Sequence, residues 1–558
     1  MSQATSFAFR VTVVISTGIW GVLLGPWSGF DLLNLRWIVG WSVLTGSDGL
    51  SGSALALATL PWFHDVVVAS LLALGPWWIP PFAMGAVHGL IPILVWDCTR
   101  LISPHTSRAL LVACALASLS TPIVAIHVGR ETGHLVAAVF LLLALKSYLS
   151  KKDNWSWHSG LYLALACLAK LAASLSSLTI LLLLIIFSRG SERLRLIVAF
   201  CYVCFLGNLL SSAVLIALGK QGFNFYLFGI RVSGVFGLAG LMFVWTLSKK
   251  MGRSRAPDEP PDISRWPEWR LYFQMSSLMV ACFALVVIVR RIGFAEARFK
   301  PGSLGSTFWQ FVMTANDRLG PGLQDSEILY RDNGRLVSIC LLLLLLLFLG
   351  MRGRFETVPP QVVVAILASG IPIMVVMASM GYVRYASQSF VFIPVSVVAL
   401  AETCGRSKRL KGAITLLFVA SLLLPSASGL QWFRPAGMTS YDEYDAIIEG
   451  SELGLLNSLV PGGSTVFWFG SGVSFVAPAL DRRDVTWVAK PKRPDQVGVR
   501  GATLIYDLAD TQNLDKFTTR GWLLEPCSAL RFTRVSIGWC ELNASEGPLF
   551  KPAAEKRS

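Results

Sequence analysis

The chain has 558 residues, of which 54% are hydrophobic and only 15% charged, with a net charge of +15. That is too little charge to cover a water-soluble protein of this length. The basic residues stand in short clusters between apolar runs, not in one patch, which excludes a nucleic-acid-binding surface as their use and matches the cytoplasmic loops of a multi-pass membrane protein.

The apolar runs approach the length of a bilayer crossing, about 20 residues. LTILLLLIIF, Leu178–Phe187, and LLLLLLLFLG within the run that starts at Leu336 are two of them. The first helix is expected over 11–27, after a short N-terminus with Arg10 that is placed in the cytoplasm. It has no small-residue cleavage site, so it reads as a retained helix rather than a signal peptide. A long segment, 28–78, carries Asp31, Asp48, His64 and Asp65. Within it, DLLNLRWIVGW reads as an interfacial helix with tryptophan anchors. The stretch 66–97 is broken by GPWWIPP, and it reads as a membrane-dipping segment plus helix 2. Arg100 and Arg108 mark the next inner loop.

Helix 3 (109–127) leads out to GRETGH, and helix 4 (135–149) returns to Lys151 and Lys152. The hairpin 159–187 has basic residues at both ends, so it must go out and back as helices 5 and 6. Helix 7 is expected over 196–218 and helix 8 over 226–247, which returns to the basic, proline-rich linker 249–270. Helices 9 and 10 flank an outer loop, 290–334. Helix 11 (361–380) reaches GYVRYASQS, helix 12 returns to GRSKRLKG, and helix 13 (413–428) goes out for the last time. The tail then changes character. YDEYDAIIEGSELGLLNSLV has helical spacing, while STVFWFG, DVTWVA, ATLIYD and RFTRVSIGW read as strands. The expected fold is an all-α polytopic membrane domain over 1–430, with about 13 spanning helices, and a small extracytoplasmic α/β domain over 431–558. Most of the ten cysteines lie in apolar segments, where a thiol acts as a small hydrophobe. Cys527 and Cys540, in the tail, form a disulfide if that side is oxidising and are two free thiols otherwise.

Ionisable groups that the membrane should not tolerate mark function. Three sets map to the outer face. Asp31 stands at the membrane surface, where a carboxylate can take a proton from an acceptor hydroxyl; the plain alternative is a helix N-cap. In HVGRETGH, a helical backbone would put His127, Glu131 and His134 on one face, and a Glu-x-x-His pair can ligate a divalent cation; the alternative is a polar turn ahead of helix 4. Lys170 is about 12 residues into helix 5, well inside the bilayer at 1.5 Å per residue. Arg384 and Tyr385 lie at the outer end of helix 11. Two fixed cations near one face suit a lipid phosphate; the alternatives are a snorkelling lysine and a simple turn.

This layout resembles the GT-C superfamily, the multi-pass glycosyltransferases that use polyprenyl-phosphate sugars. The likeness rests on Asp31 after helix 1, on GRETGH between helices 3 and 4, on the buried lysine of LALACLAKLAASL, on the late Arg-Tyr of VRYASQSFVFIPV, and on a domain after helix 13 as in protein mannosyltransferase-like and aminoarabinose transferase-like members. The resemblance implies Asp31 as general base, Glu131 as a second acidic or metal-binding residue, and Lys170 and Arg384 as donor phosphate ligands; His134 is counted with Glu131 as a metal ligand, and Tyr385 with the substrate-binding residues. Many members have paired acids after helix 1. Here Leu32 follows Asp31, so the second acid is missing or is supplied by Asp48, counted with the substrate-binding residues, or by Asp65. The implied partners are a polyprenyl-phosphate-linked sugar donor, a lipid, glycan or protein acceptor, and membrane lipids. The implied place is the bacterial inner membrane, with the C-terminus outside. Two other readings stand beside it. One is a lipid-linked glycan polymerase or ligase, using the arginines of 290–334. The other is a transporter or flippase, although no self-similarity between halves supports it.

Overall fold

In the computed structural model the described residues are, short gaps aside, 3–23, 38–45, 62–233, 360–379, 387–404, 451–469, 485–489, 502–508, 523–531 and 536–543. The chain divides into two compact units, Met1–Trp27 with Leu57–Met438, and Ser28–Ala56 with Thr439–Ser558.

The helices are α1 Gln3–Leu23, α2 Ile38–Thr45, α3 Phe63–Ala73, α4 Ile79–His88, α5 Leu90–Ile102, α6 Arg108–Ser120, α7 Pro122–Ala125, α8 His134–Ser150, α9 Trp155–Ala169, α10 Ser174–Ile186 and α11 Gly190–Ala217, followed later by α12 Pro360–Ser379, α13 Ser387–Phe390, α14 Ile393–Cys404 and α15 Ser451–Leu459. Ile79–Ile102 and Gly190–Ala217 are long and apolar enough to cross a membrane. On α1, Phe7, Val11, Ile15, Ile19 and Leu23 recur every fourth residue and are exposed. A row of that kind suits lipid, not water.

α8 is the centre of the first unit. Leu135, Leu141, Leu142, Leu145 and Tyr148 are fully buried, and Ala137, Ala138 and Ala144 fill the spaces between them. It packs against α5 and α9, and α9 packs in turn against α11. Small residues let these helices approach closely. A side chain at Gly160 would run into the Leu196 carbonyl. Hydrogen bonds to backbone cross between helices, from Ser159 Oγ to the Ala144 carbonyl and from Ser177 Oγ to the Leu163 carbonyl, each 3.0 Å.

A charge cluster fastens three helices. The Asp97 carboxylate on α5 takes Arg10 Nη2 of α1 at 2.9 Å and Lys146 Nζ of α8 at 2.7 Å. Asp97 is 13% exposed, against 44% and 36% for its partners. Asp97→Ala is expected to cost about 1–2 kcal/mol, less than the ~3–5 kcal/mol of a fully buried pair because both cations reach solvent. Thermal unfolding in detergent measures this, and an unchanged midpoint would count against the cluster as a fastener.

Two expectations for this unit are corrected. The helix expected from 226 begins instead as an antiparallel hairpin, β1 Asn224–Leu227 with β2 Ile230–Ser233. Phe225 and Tyr226 on one strand and Ile230 and Val232 on the other are aromatic or β-branched, and the two residues between the strands in sequence are Phe228 and Gly229, a loop length that favours a hairpin with glycine. Helix 5 does not run on through Lys170. α9 ends at Ala169, Lys170 is extended, and a 3-10 turn Leu171–Ala173 leads into α10. An ammonium is expensive in mid-bilayer and favourable at a helix C-terminus, where it meets the negative end of the dipole.

The second unit holds a five-stranded sheet in the order β4-β3-β5-β7-β6, from β3 Thr465–Phe469, β4 Thr486–Ala489, β5 Ala502–Asp507, β6 Leu523–Arg531 and β7 Ser536–Asn543. β4, β3 and β5 are parallel, and β7 and β6 are antiparallel additions. β5 is buried along its whole length, as a central strand should be. RFTRVSIGW is not one strand: β6 ends at Arg531 and β7 begins at Ser536. Tyr506 faces Gly538 across the ladder, and its ring occupies the space that a side chain there would need. Burial holds the Tyr506 hydroxyl above its ordinary pKa. Cys540 is disulfide-bonded, which excludes the free-thiol alternative for it. Cys527 is the residue opposite Cys540 in the β6–β7 ladder.

Candidate functional site

The site grows from chain breaks at the ends of α7, α8 and α9. After α7 the chain makes tight turns over 127–130, held by His127 N to Val124 O at 2.9 Å and Arg130 N to His127 O at 3.1 Å. Gly129 has φ +69° and lies against Gly21 and the Pro81 carbonyl. Its N–H donates to His88 Nδ1 at 3.0 Å, which clips the turn to the end of α4. Gly133, with φ +68°, ends the second loop and caps α8. A Cβ on Gly133 would meet the His64 ring at 2.9 Å and the Ala169 carbonyl at 3.1 Å. The absent side chain therefore brings α3, the start of α8 and the Lys170 break together.

His134 is the first residue of α8 and is buried. Its ring centroid is 5.4 Å from that of His127. The two imidazoles meet across the turn at 127–130 and the left-handed Gly133, which fits the turn alternative for HVGRETGH and not one helical face. Arg130, between them in sequence, is only 3% exposed.

Two consecutive buried polar residues on α13, Gln388 and Ser389, close the network. Gln388 Oε1 is 3.3 Å from His134 Nδ1. Gln388 Nε2 donates to the Ala172 carbonyl at 3.3 Å and to Ser176 Oγ at 3.4 Å. Ser176 and Ser389 share a hydrogen bond of 2.8 Å. The amide thus spans the start of α8 and the residues that follow Lys170. Of the expected site residues, the structure brings His134 and the Lys170 break into one network. Asp31, Asp48, Glu131, Arg384 and Tyr385 lie outside the described residues.

Sequence reasoning named His64 without giving it a role, and passed over Arg130, Gln388, Ser176 and Ser389. A signal was present for Gln388. A Ser-Gln-Ser triple inside VRYASQSFVFIPV places an amide in an apolar run, where it must find partners. Among the described residues, no three His, Cys, Asp or Glu side chains gather as a metal group. Of the expected metal pair, His134 turns its Nδ1 to Gln388, and Glu131 lies outside the described residues.

No family model matches the sequence, and no curated protein matches it. Solved structures do resemble it in overall course. The archaeal oligosaccharyltransferase AglB from Archaeoglobus fulgidus, in complex with an inhibitory peptide and a dolichol-phosphate, is 12% identical, with 91% of this chain and 70% of that one covered at a TM-score of 0.46. The same organism's oligosaccharyltransferase in complex with Zn and sulfate is 13% identical, with 89% and 68% covered at 0.44. ArnT from Cupriavidus metallidurans bound to undecaprenyl phosphate is 13% identical, with 98% and 100% covered at 0.40. These are likenesses in chain course, and the functional reading of this chain rests on its own residues.

Proposed function

We propose that this chain is a membrane glycosyltransferase of GT-C type that moves a sugar from a polyprenyl-phosphate donor to a lipid, glycan or protein acceptor on the extracytoplasmic face. The observation that carries it is the placement of Lys170 at a helix break, cross-linked through Gln388 to a buried polar cluster that includes His134 and His127. Buried polar groups gathered at chain breaks at helix ends are costly in a bilayer, and they are tolerated where they line a site.

In the proposed reaction an acceptor hydroxyl attacks the anomeric carbon. The new C–O bond forms as the bond to the phosphate oxygen breaks, and the polyprenyl phosphate leaves with the electron pair. The anomeric centre inverts. Lys170 and Arg384 neutralise the charge that develops on the leaving group, with Tyr385 and Asp48 assigned to substrate binding. Asp31 takes the hydroxyl proton. The topology we assign is about 13 crossings with basic loops inside and both the site and residues 431–558 outside. The disulfide at Cys540 supports an oxidising side for the sheet. The bacterial inner membrane is the place we assign to it.

The test is release of free polyprenyl phosphate from a polyprenyl-phosphate sugar by the purified protein. Release that depends on acceptor supports transfer; translocation across vesicles without release would replace it with transport. Asp31→Asn is expected to lower release by about 100-fold or more while the thermal midpoint holds, and full activity in that variant removes Asp31 as the base.

A further inference from the structure

The orientation of the Gln388 side chain can be settled from its neighbours. The Ala172 carbonyl oxygen only accepts, so the atom 3.3 Å from it must be the amide nitrogen. The other end of the amide, facing His134 Nδ1 at 3.3 Å, is then the oxygen, which also only accepts. Nδ1 of His134 must therefore carry the proton. In the neutral ring the lone pair falls on Nε2. Gln388 is fully buried and His134 is 3% exposed, so a mismatch of two acceptors here could not be relieved by water at small cost.

We infer that Gln388 is a positioning residue: it holds His134 as the Nδ1–H tautomer, so that Nε2 is the nitrogen able to accept a proton or a hydrogen bond in the site. The same amide fastens α13 to the residues just after Lys170. Arg384 lies four positions before Gln388 in the sequence. One side chain thus sets the chemistry of His134 and ties the segment after Arg384 to the break that carries Lys170. The His127 ring lies with its centroid 5.4 Å from that of His134, and the His64 ring and the Ala169 carbonyl lie against Gly133, the residue before it. The tautomer follows from hydrogen-bond geometry alone, while the catalytic consequence rests on the glycosyltransferase reading.

The experiment is nitrogen NMR of the full-length protein in nanodiscs with 15N-labelled histidine, the His134 signal being identified by its loss in His134→Asn. The expected result is an Nδ1-protonated His134 that moves toward the Nε2–H form in Gln388→Leu and stays Nδ1-protonated in Gln388→Glu, which keeps the acceptor oxygen toward His134 and gives up the donor to the Ala172 carbonyl. An Nε2–H ring in the unmodified protein overturns the inference, and so does an unchanged ring in Gln388→Leu. If Gln388→Leu does not fold, Gln388→Glu decides: loss of Nδ1 protonation there overturns it. In the release assay, Gln388→Leu is expected to lower kcat by about 10- to 100-fold, with donor KM little changed and Gln388→Glu closer to the unmodified protein. An unaltered kcat in Gln388→Leu overturns the positioning role. Absence of sugar release from the unmodified protein overturns the proposed function instead, and it leaves the tautomer result standing.

Discussion

Lys170→Ala is expected to lower polyprenyl phosphate release by about 100-fold or more, with the fold intact. The leaving group gains charge in the transition state, and loss of one preorganised partner for such charge typically costs about 100- to 1,000-fold in turnover. Lys170 is suited to that task by its place in the chain. It closes α9 in an extended conformation, with φ −155° and ψ 122°, and opens the 3-10 turn that follows. Bonds to backbone hold this break: Ala173 N to Lys170 O at 2.9 Å, and Gln388 Nε2 to Ala172 O at 3.3 Å. Truncating the side chain leaves these bonds in place, so the loss should fall on turnover and not on the thermal midpoint. Lys170→Arg is expected to recover only part of the activity, because a planar fork does not place its charge where a compact ammonium does. Release at the unmodified rate from Lys170→Ala would remove this residue from the donor site.

The helical hairpin around Lys170 shows how far the sequence carries and where it stops. Basic residues at both ends of 159–187 predict a helical pair that doubles back, and α9 and α10 pack against each other. The place of the turn was hidden. No glycine or proline marks LACLAKLAASL, and the bond that anchors the break comes from Gln388, 216 residues away in sequence from Ala172. Local pattern cannot report a partner that distant. Over 226–233 the expected helix gives way to strands for a different reason: an apolar, aromatic run serves a buried helix or a hairpin equally well. In the tail, short alternating runs between turn residues marked β3, β4 and β5 directly. In HVGRETGH the residues of interest were visible, but their geometry was not. Gly129 and Gly133, both with positive φ, stand on either side of the loop expected between helices 3 and 4, and the rings of His127 and His134 meet there.

Of those glycines, Gly129 is the position where a single methyl group should do most damage. Gly129→Ala is expected to cost about 2–5 kcal/mol, from the left-handed backbone, at about 1–2 kcal/mol, and from overpacking, at about 1–3 kcal/mol. The space is closed on two sides. A Cβ at Gly129 would press on the backbone of Gly21 and come within 2.9 Å of the Pro81 carbonyl. A Cβ at Gly21 would come within 3.0 Å of the Gly129 Cα. α1, the start of α4 and the 127–130 turn therefore meet at a point with room for backbone alone, and backbone cannot swing aside as a side chain can. The damage should reach the site, because the Gly129 N–H bound to His88 Nδ1 locates the turn that carries His127 and Arg130. Gly370→Ala is the control. Among the described residues nothing lies within 4 Å of its Cβ position, and alanine improves a helix interior, so its midpoint should hold or rise. Thermal unfolding of the two variants in one detergent makes the comparison. A Gly129→Ala protein as stable as Gly370→Ala would mean that the three-way contact does not hold the turn, and with it would go the reason that His127 and Arg130 sit where they do.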